Sequence, residues 1–101
     1  MAIDRIKVRK EAEKYQQAGR IDKAIDSYRM LVDDDPKNLA LQNTFGDLLA
    51  QGHRLPEAVE VFRRLAIAYE RDGFAPKATA VLKKAVRSAP DDMDLMQRLA
   101  D

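Results

Sequence analysis

The stretch AEKYQQAGRIDKAIDSYRMLVDDDP, residues 12–36, aligns without a gap to AIAYERDGFAPKATAVLKKAVRSAP, residues 66–90. Ala12 meets Ala66, Tyr15 meets Tyr69, Gly19 meets Gly73, Lys23 meets Lys77, Ala24 meets Ala78 and Pro36 meets Pro90, all at one constant offset. A third copy lies between them. There Gly46 follows Ala12, Leu49 follows Tyr15, Ala58 follows Ala24, Phe62 follows Tyr28 and Leu65 follows Leu31, again at a single, shorter offset. That shorter offset is the repeat of about 34 residues, built from two short helices, that marks a stacked helical array. Arrays of this kind usually work by offering an extended surface to another protein.

Outward from these copies, the apolar spacing and the breakers predict an all-α chain of six helices, each antiparallel to its neighbour. The first runs over about 4–18, with Val8, Ala12 and Tyr15 at helical spacing and Gly19 as a left-handed terminator. The second covers about 21–33, with Ala24, Ile25, Tyr28, Leu31 and Val32 on one face and Pro36 beyond its end. Asn38 is the expected N-cap of the third, about 39–51, because its side-chain oxygen can accept an orphan backbone N–H. Gly52 closes that helix. The fourth, about 55–72, starts with Pro56 in its first turn, where the missing N–H costs nothing. It meets no breaker over its length. Its apolar residues (Ala58, Val59, Val61, Phe62, Leu65, Ala66, Ile67 and Tyr69) cover more than one stripe, the pattern of a helix packed on two sides. The fifth, about 76–88, has Pro76 in its first turn. The sixth follows Pro90, with Asp92 as N-cap and Leu95, Met96, Leu99 and Ala100 as its apolar stripe.

The 101 residues are enough for one modest core, and no linker divides them, so 1–101 is read as a single domain. With 18 basic and 17 acidic residues the net charge is +1, which argues against a nucleic-acid binder, whose footprint is a clear basic excess. Asp33, Asp34 and Asp35 form one acidic knot and Asp91, Asp92 and Asp94 another, both read as solvated helix ends. They lack the alternating spacing and the glycine of a calcium loop. There is no cysteine, hence no thiolate metal site and no cysteine nucleophile. The lone histidine, His53, has no partner with which to build a conventional zinc site or a serine triad. It falls where Gly19 and Gly73 fall in the other copies, so it reads as a turn residue. The aromatic residues Tyr15, Tyr28, Phe45, Phe62 and Tyr69 lie on apolar stripes and are read as core. Residues 1–10 lack the apolar core of a secretory signal, and no apolar run is long enough to span a membrane. The expected location is the cytoplasm, with no cofactor, no metal and no catalytic residue.

Together these positions resemble the tetratricopeptide repeat family. Its pattern places a small residue between larger apolar ones in a first helix, then an alanine early in the second helix. An aromatic follows four residues later, an apolar residue three beyond that, and then a proline. Copy one, about 5–38, supplies Ala12, Tyr15, Gly19, Ala24, Tyr28, Leu31 and Pro36. Copy two, about 39–72, supplies Phe45, Gly46, Leu49, Ala58, Phe62 and Leu65, with Glu70 where the closing proline is due. Copy three, about 59–92, supplies Leu65, Ala66, Tyr69, Gly73, Ala78, Leu82, Ala85 and Pro90. Residues 93–101 open a further copy or form a cap. Copies two and three overlap, since Ala78 follows Ala58 well short of the full repeat that separates Ala24 from Ala58. The fourth helix is thus shared between two repeats, and the regular inner groove is expected to be disturbed after residue 55. The segment YERDGFAPKA, 69–78, is also similar to segments of long repeat proteins in bacterial motility or regulatory scaffolds.

What the resemblance implies for function is a helical-hairpin solenoid that binds a peptide or protein in the groove lined by the first helix of each pair. Carried over residue by residue, the groove side chains are Arg9, Glu13, Gln16 and Gln17 from the first helix and Asn43, Asp47 and Gln51 from the third. Some members hold a peptide's C-terminal carboxylate there with lysine, asparagine and arginine. Here Glu13 and Asp47 stand where such a clamp wants neutral donors, and they would repel a carboxylate. A mixed-charge groove is the expectation. The leading reading is a non-catalytic interaction or scaffold module, and the rival is a self-assembly unit of a larger repeat protein. The apolar stripe Leu95, Met96 and Leu99 has no following helix to cover it, so the chain is expected to continue past Asp101 or to dock that end on a second copy.

Overall fold

Asp4 and Asn38 begin their helices in the same way. The Asp4 carboxylate accepts the Lys7 backbone N–H at 3.1 Å, and the Asn38 side-chain oxygen accepts that of Leu41 at 3.0 Å. Each satisfies a donor that the first helical turn leaves orphaned. The computed structural model describes residues 3–100, with the side chains of Asp94, Leu95, Leu99 and Ala100 outside that description. Among the described residues the chain forms six helices and no strand. They are α1 (Arg5–Gln17), α2 (Ile21–Asp34), α3 (Leu39–Gln51), α4 (Leu55–Arg71), α5 (Ala75–Ser88) and α6 (Met93–Ala100). Each packs mainly on its neighbours in the chain, giving an elongated stack of 41 × 27 × 20 Å. Helix α2 runs one residue past its expected end and α5 begins one residue early, so Pro56 and Pro76 both sit second in their helices. None of the helices is long and apolar enough to cross a membrane.

One turn recurs three times. After α1, α3 and α4 the backbone N–H groups of Arg20, Arg54 and Phe74 donate to the carbonyls of Tyr15, Leu49 and Tyr69 at 2.8, 2.9 and 2.8 Å. Those of Gly19, His53 and Gly73 donate to Gln16, Ala50 and Glu70, all at 3.1 Å. This is the Schellman pairing, which needs a left-handed residue just past the helix. Gly19, His53 and Gly73 supply it, with φ of 74°, 60° and 85°. The N–H groups of Ala24, Ala58 and Ala78 then start the next helix from Arg20, Arg54 and Phe74, each at 3.0 Å. The second kind of junction repeats as well. Asp35 and Ala89 bond back to Leu31 and Ala85 at 3.0 Å, and Pro36 and Pro90 follow them. Both offsets between the sequence copies thus reappear in the backbone. Only His53 occupies its left-handed position with a side chain, which costs about 1–2 kcal/mol, partly offset by the freedom glycine adds to the unfolded chain. His53→Gly is expected to stabilise the fold by about 0.5–1 kcal/mol, read as a higher thermal midpoint.

Helix α4 holds the stack together. Its 17 residues span about 26 Å at 1.5 Å per residue and pack on α3 and on α5. Ala58 and Phe62, in its first half, match Ala24 and Tyr28, while Ala66 and Tyr69, in its second half, match Ala12 and Tyr15. All of these except Tyr15 are buried. Phe62, 1% exposed, lies against Gly46, where an added Cβ would stand 2.6 Å from the Phe62 Cε1. Only a residue without Cβ lets α3 and α4 approach that closely. Leu49, Leu65, Ile25 and Ala85 are fully buried in the same core.

Three expectations change. Ile67, counted with the apolar residues of α4, is 47% exposed, because α3 and α5 cover only part of the helix circumference. Tyr15 is half-buried, at the edge of the core, with the Arg20 guanidinium 6.0 Å from its ring centroid. The first acidic knot is more than a solvated helix end. Arg5 donates to the Asp34 carboxylate at 2.6 Å and to its carbonyl at 3.1 Å, and lies 3.7 Å from Asp35. The hairpin sets the start of α1 beside the end of α2, where carboxylates and free carbonyls both attract a guanidinium. In the second knot, Asp92 lies 3.8 Å from Arg63.

Candidate functional site

The residues predicted to line a groove lie on two stripes. Arg9, Glu13, Gln16 and Gln17 fall at i, i+4, i+7 and i+8 of α1, and all four are exposed. Asn43, Asp47 and Gln51 fall at i, i+4 and i+8 of α3, the first two half-buried and the third exposed. These are helical-face spacings; on α3 the stripe lies opposite the buried residues, and on α1 it flanks them. Arg9 and Glu13 lie 3.9 Å apart as a loose ion pair in solvent. Arg9 also borders a cleft of about 280 Å³ whose far wall is Leu41 and Asn38 at the start of α3. Glu13, Gln16 and Gln17 stand clear of that cleft.

The α3 stripe has a feature that sequence reasoning missed. Lys84 of α5 reaches across to α3, where its ammonium donates to the Asn43 side-chain oxygen at 3.0 Å and to both Asp47 carboxylate oxygens at 3.0 and 3.2 Å. It also lies 5.7 Å from the centroid of the Phe62 ring, the geometry of a cation–π contact. One cation therefore ties α5 to α3 over the ring of α4. Beside it opens a cleft of about 320 Å³ lined by Asp47, Ala50, Gln51, Phe62, Lys84, Arg87 and Ser88. So the structure brings Asn43 and Asp47 together with Lys84, and Gln51 to the rim of this cleft, while the α1 residues form a separate part of the surface. Helix α3 packs on α2 and α4, and α5 reaches it through the Lys84 side chain. With Asp47 nearly half exposed, the pair is partly screened, so Lys84→Met is expected to cost about 1 kcal/mol. Asp47→Asn should cost less, and a double-mutant cycle on unfolding midpoints would measure the difference.

A larger cleft, about 640 Å³, lies elsewhere. Val32, Phe45 and Val61 contribute apolar surface to its walls, and Arg29, Asp33, Gln42, Glu57, Glu60 and Arg64 contribute the polar groups. Arg29 donates to the Glu57 carboxylate at 2.6 Å, and its guanidinium sits 5.2 Å from the Phe45 ring centroid. That hydrogen bond, helped by the charges of Arg29 and Arg54, holds Glu57 below the usual carboxylate range against the opposing effect of burial. The same bond raises Arg29. The nearest sequence signal for this pair is the small residue Ala58 beside Glu57, which brings α4 close to its neighbours. Nothing local links residues so far apart in the chain.

No group of three or more metal-ligating side chains occurs among the described residues. No protein-family model matches the chain, and comparison with curated proteins finds no similar one.

Proposed function

We propose that this chain is a non-catalytic interaction module, a tetratricopeptide-like array of helical hairpins that holds a segment of another protein against the polar stripes of α1 and α3. One observation carries the reading: the same Schellman turn closes α1, α3 and α4 and starts the next helix in the same way each time. That repetition supports an array in which α1 and α3 occupy equivalent positions, each offering its own polar stripe to the partner. The stripes carry both charges and three glutamines, suited to hydrogen-bonding an extended backbone and to choosing partners by charge. A cytoplasmic site of action fits the cysteine-free composition.

The Arg9 and Glu13 charges test it. Exchanging them, Arg9→Glu with Glu13→Arg, preserves an i,i+4 pair in solvent and leaves the core untouched. Partner capture is expected to weaken by about tenfold or more, with the thermal midpoint unchanged. A lower midpoint with capture intact would put these residues in an intramolecular network instead.

A second reading, a self-assembly unit joined through the C-terminal helix, is favoured by the exposure of Met93 and Met96 on α6, 77% and 46%. The stripe residues Leu95 and Leu99 lie outside the described side chains. Light scattering of the Met96→Lys variant separates the two, since loss of a dimer would favour assembly through α6.

A further inference from the structure

Helices α2 and α5, which match one another between the two end copies, carry opposite charge. Helix α5, APKATAVLKKAVRS, has four basic residues and no acidic one. Helix α2, IDKAIDSYRMLVDD, has four aspartates against Lys23 and Arg29. On α2 two of the charges are already engaged, since Asp34 binds Arg5 and Arg29 binds Glu57. The remaining aspartates, Asp22, Asp26 and Asp33, are exposed and lie on one ridge at i, i+4 and i+11. Arg54 approaches Asp22 to 3.8 Å, yet the Asp22 side chain stays 81% exposed. On α5, Lys84 turns to α3, while Lys83 and Arg87 form an exposed ridge at i and i+4. Lys77 is exposed on the flank, with its ammonium 5.1 Å from the Phe74 ring centroid.

We infer that the basic ridge of α5 docks on the acidic ridge of α2 in a second copy of this chain. With the two helices antiparallel, Asp22 faces Arg87 and Asp26 faces Lys83, because each pair is four residues apart on its helix. Met30, exposed on α2 one turn beyond Asp26, adds apolar surface beside the charges. The two ridges are different surfaces, so each copy keeps one free after the first contact, and the association is head-to-tail and open. Exposed ion pairs are individually weak and salt-screened, so the contact is transient, with a dissociation constant on the order of 0.1–1 mM. It goes beyond the partner-binding reading and leaves the Arg9 and Glu13 surface free.

Sedimentation velocity on the 101-residue chain and two charge variants tests this. The wild type is expected to sediment faster as concentration rises in about 20 mM salt, and as a monomer in about 0.5 M salt. Lys83→Glu with Arg87→Glu, which makes both ridges acidic, should weaken self-association by about thirtyfold or more. Asp22→Lys with Asp26→Lys, which makes both basic, should do the same. Mixing the two variants should restore association, because each then offers what the other lacks. These substitutions are on exposed residues, and unchanged circular dichroism melts would show that all three proteins remain folded. A wild type that stays monomeric at millimolar concentration in low salt would overturn the inference. So would variants that associate as well as the wild type, or a mixture of folded variants that does not associate. Binding of a poly-glutamate peptide to α5 by a chain that never self-associates would assign the basic ridge to a foreign acidic partner instead.

Discussion

Phe62→Ala is expected to lower the unfolding free energy by about 3–5 kcal/mol, the range for removing a buried aromatic ring. Phe62 is among the largest fully buried side chains and stands where three helices meet. It fills the space over Gly46 of α3, while Lys84 of α5 lies above its ring. Deleting the ring would leave a cavity that the two helices can close only by moving together. It would also remove the aromatic face beneath the lysine that bridges α5 to α3. Against the roughly 5–15 kcal/mol typical of a whole domain, such a loss approaches global unfolding. Chemical denaturation measures it, and a loss below about 1 kcal/mol would mean that α3 and α4 do not meet at this residue.

Gly46→Leu tests the same contact from the other side. A Cβ at residue 46 would sit 2.6 Å from the Phe62 Cε1 and 3.0 Å from its Cζ, distances that force a shift. The ring has little room to swing away, because it is only 1% exposed. Overpacking of this kind costs about 1–3 kcal/mol and sometimes more. Replacing a helical glycine returns roughly 0.5–1 kcal/mol in backbone entropy. The steric effect wins, and a net loss of about 1–2.5 kcal/mol is expected for a side chain as large as leucine. Combining Gly46→Ala with Phe62→Leu should be less harmful than the sum of the two single changes, since the smaller partner makes room. An unchanged denaturation midpoint in Gly46→Leu would place α3 farther from α4 than this contact allows.

Much of the fold was legible because its punctuation is local. Gly19, Gly73 and the prolines act within a turn of their own position, so spacing alone placed the helix ends closely. His53 was readable as a turn residue for the same reason, by standing in register with two glycines. The length of α4 was legible too, since no breaker interrupts its apolar pattern from Pro56 to Asp72. What escaped depended on tertiary approach. Lys84 aligns with the apolar Met30 of the first copy, so the internal comparison pointed away from a polar role. Its partners, Asn43 and Asp47, were recognised as surface residues, but nothing in their own spacing announces a lysine two helices further on. Arg29 of α2 and Glu57 of α4 pair side chain to side chain across a long separation in the chain, which no local pattern encodes. Tyr15 and Ile67 followed the apolar period yet sit at edges, because periodicity gives the direction of a side chain and not how far the next helix extends.

The proposed role can be tested most directly by introducing a photo-reactive side chain one position at a time. Gln16 on α1 and Gln51 on α3 lie on the two polar stripes. Glu60, exposed on α4, borders the large cleft outside them. The expected result is that the protein partner captured by the wild-type chain is crosslinked from residues 16 and 51 and not from residue 60. Crosslinking from residue 60 alone, with residues 16 and 51 silent in a folded protein, would contradict a groove formed by α1 and α3.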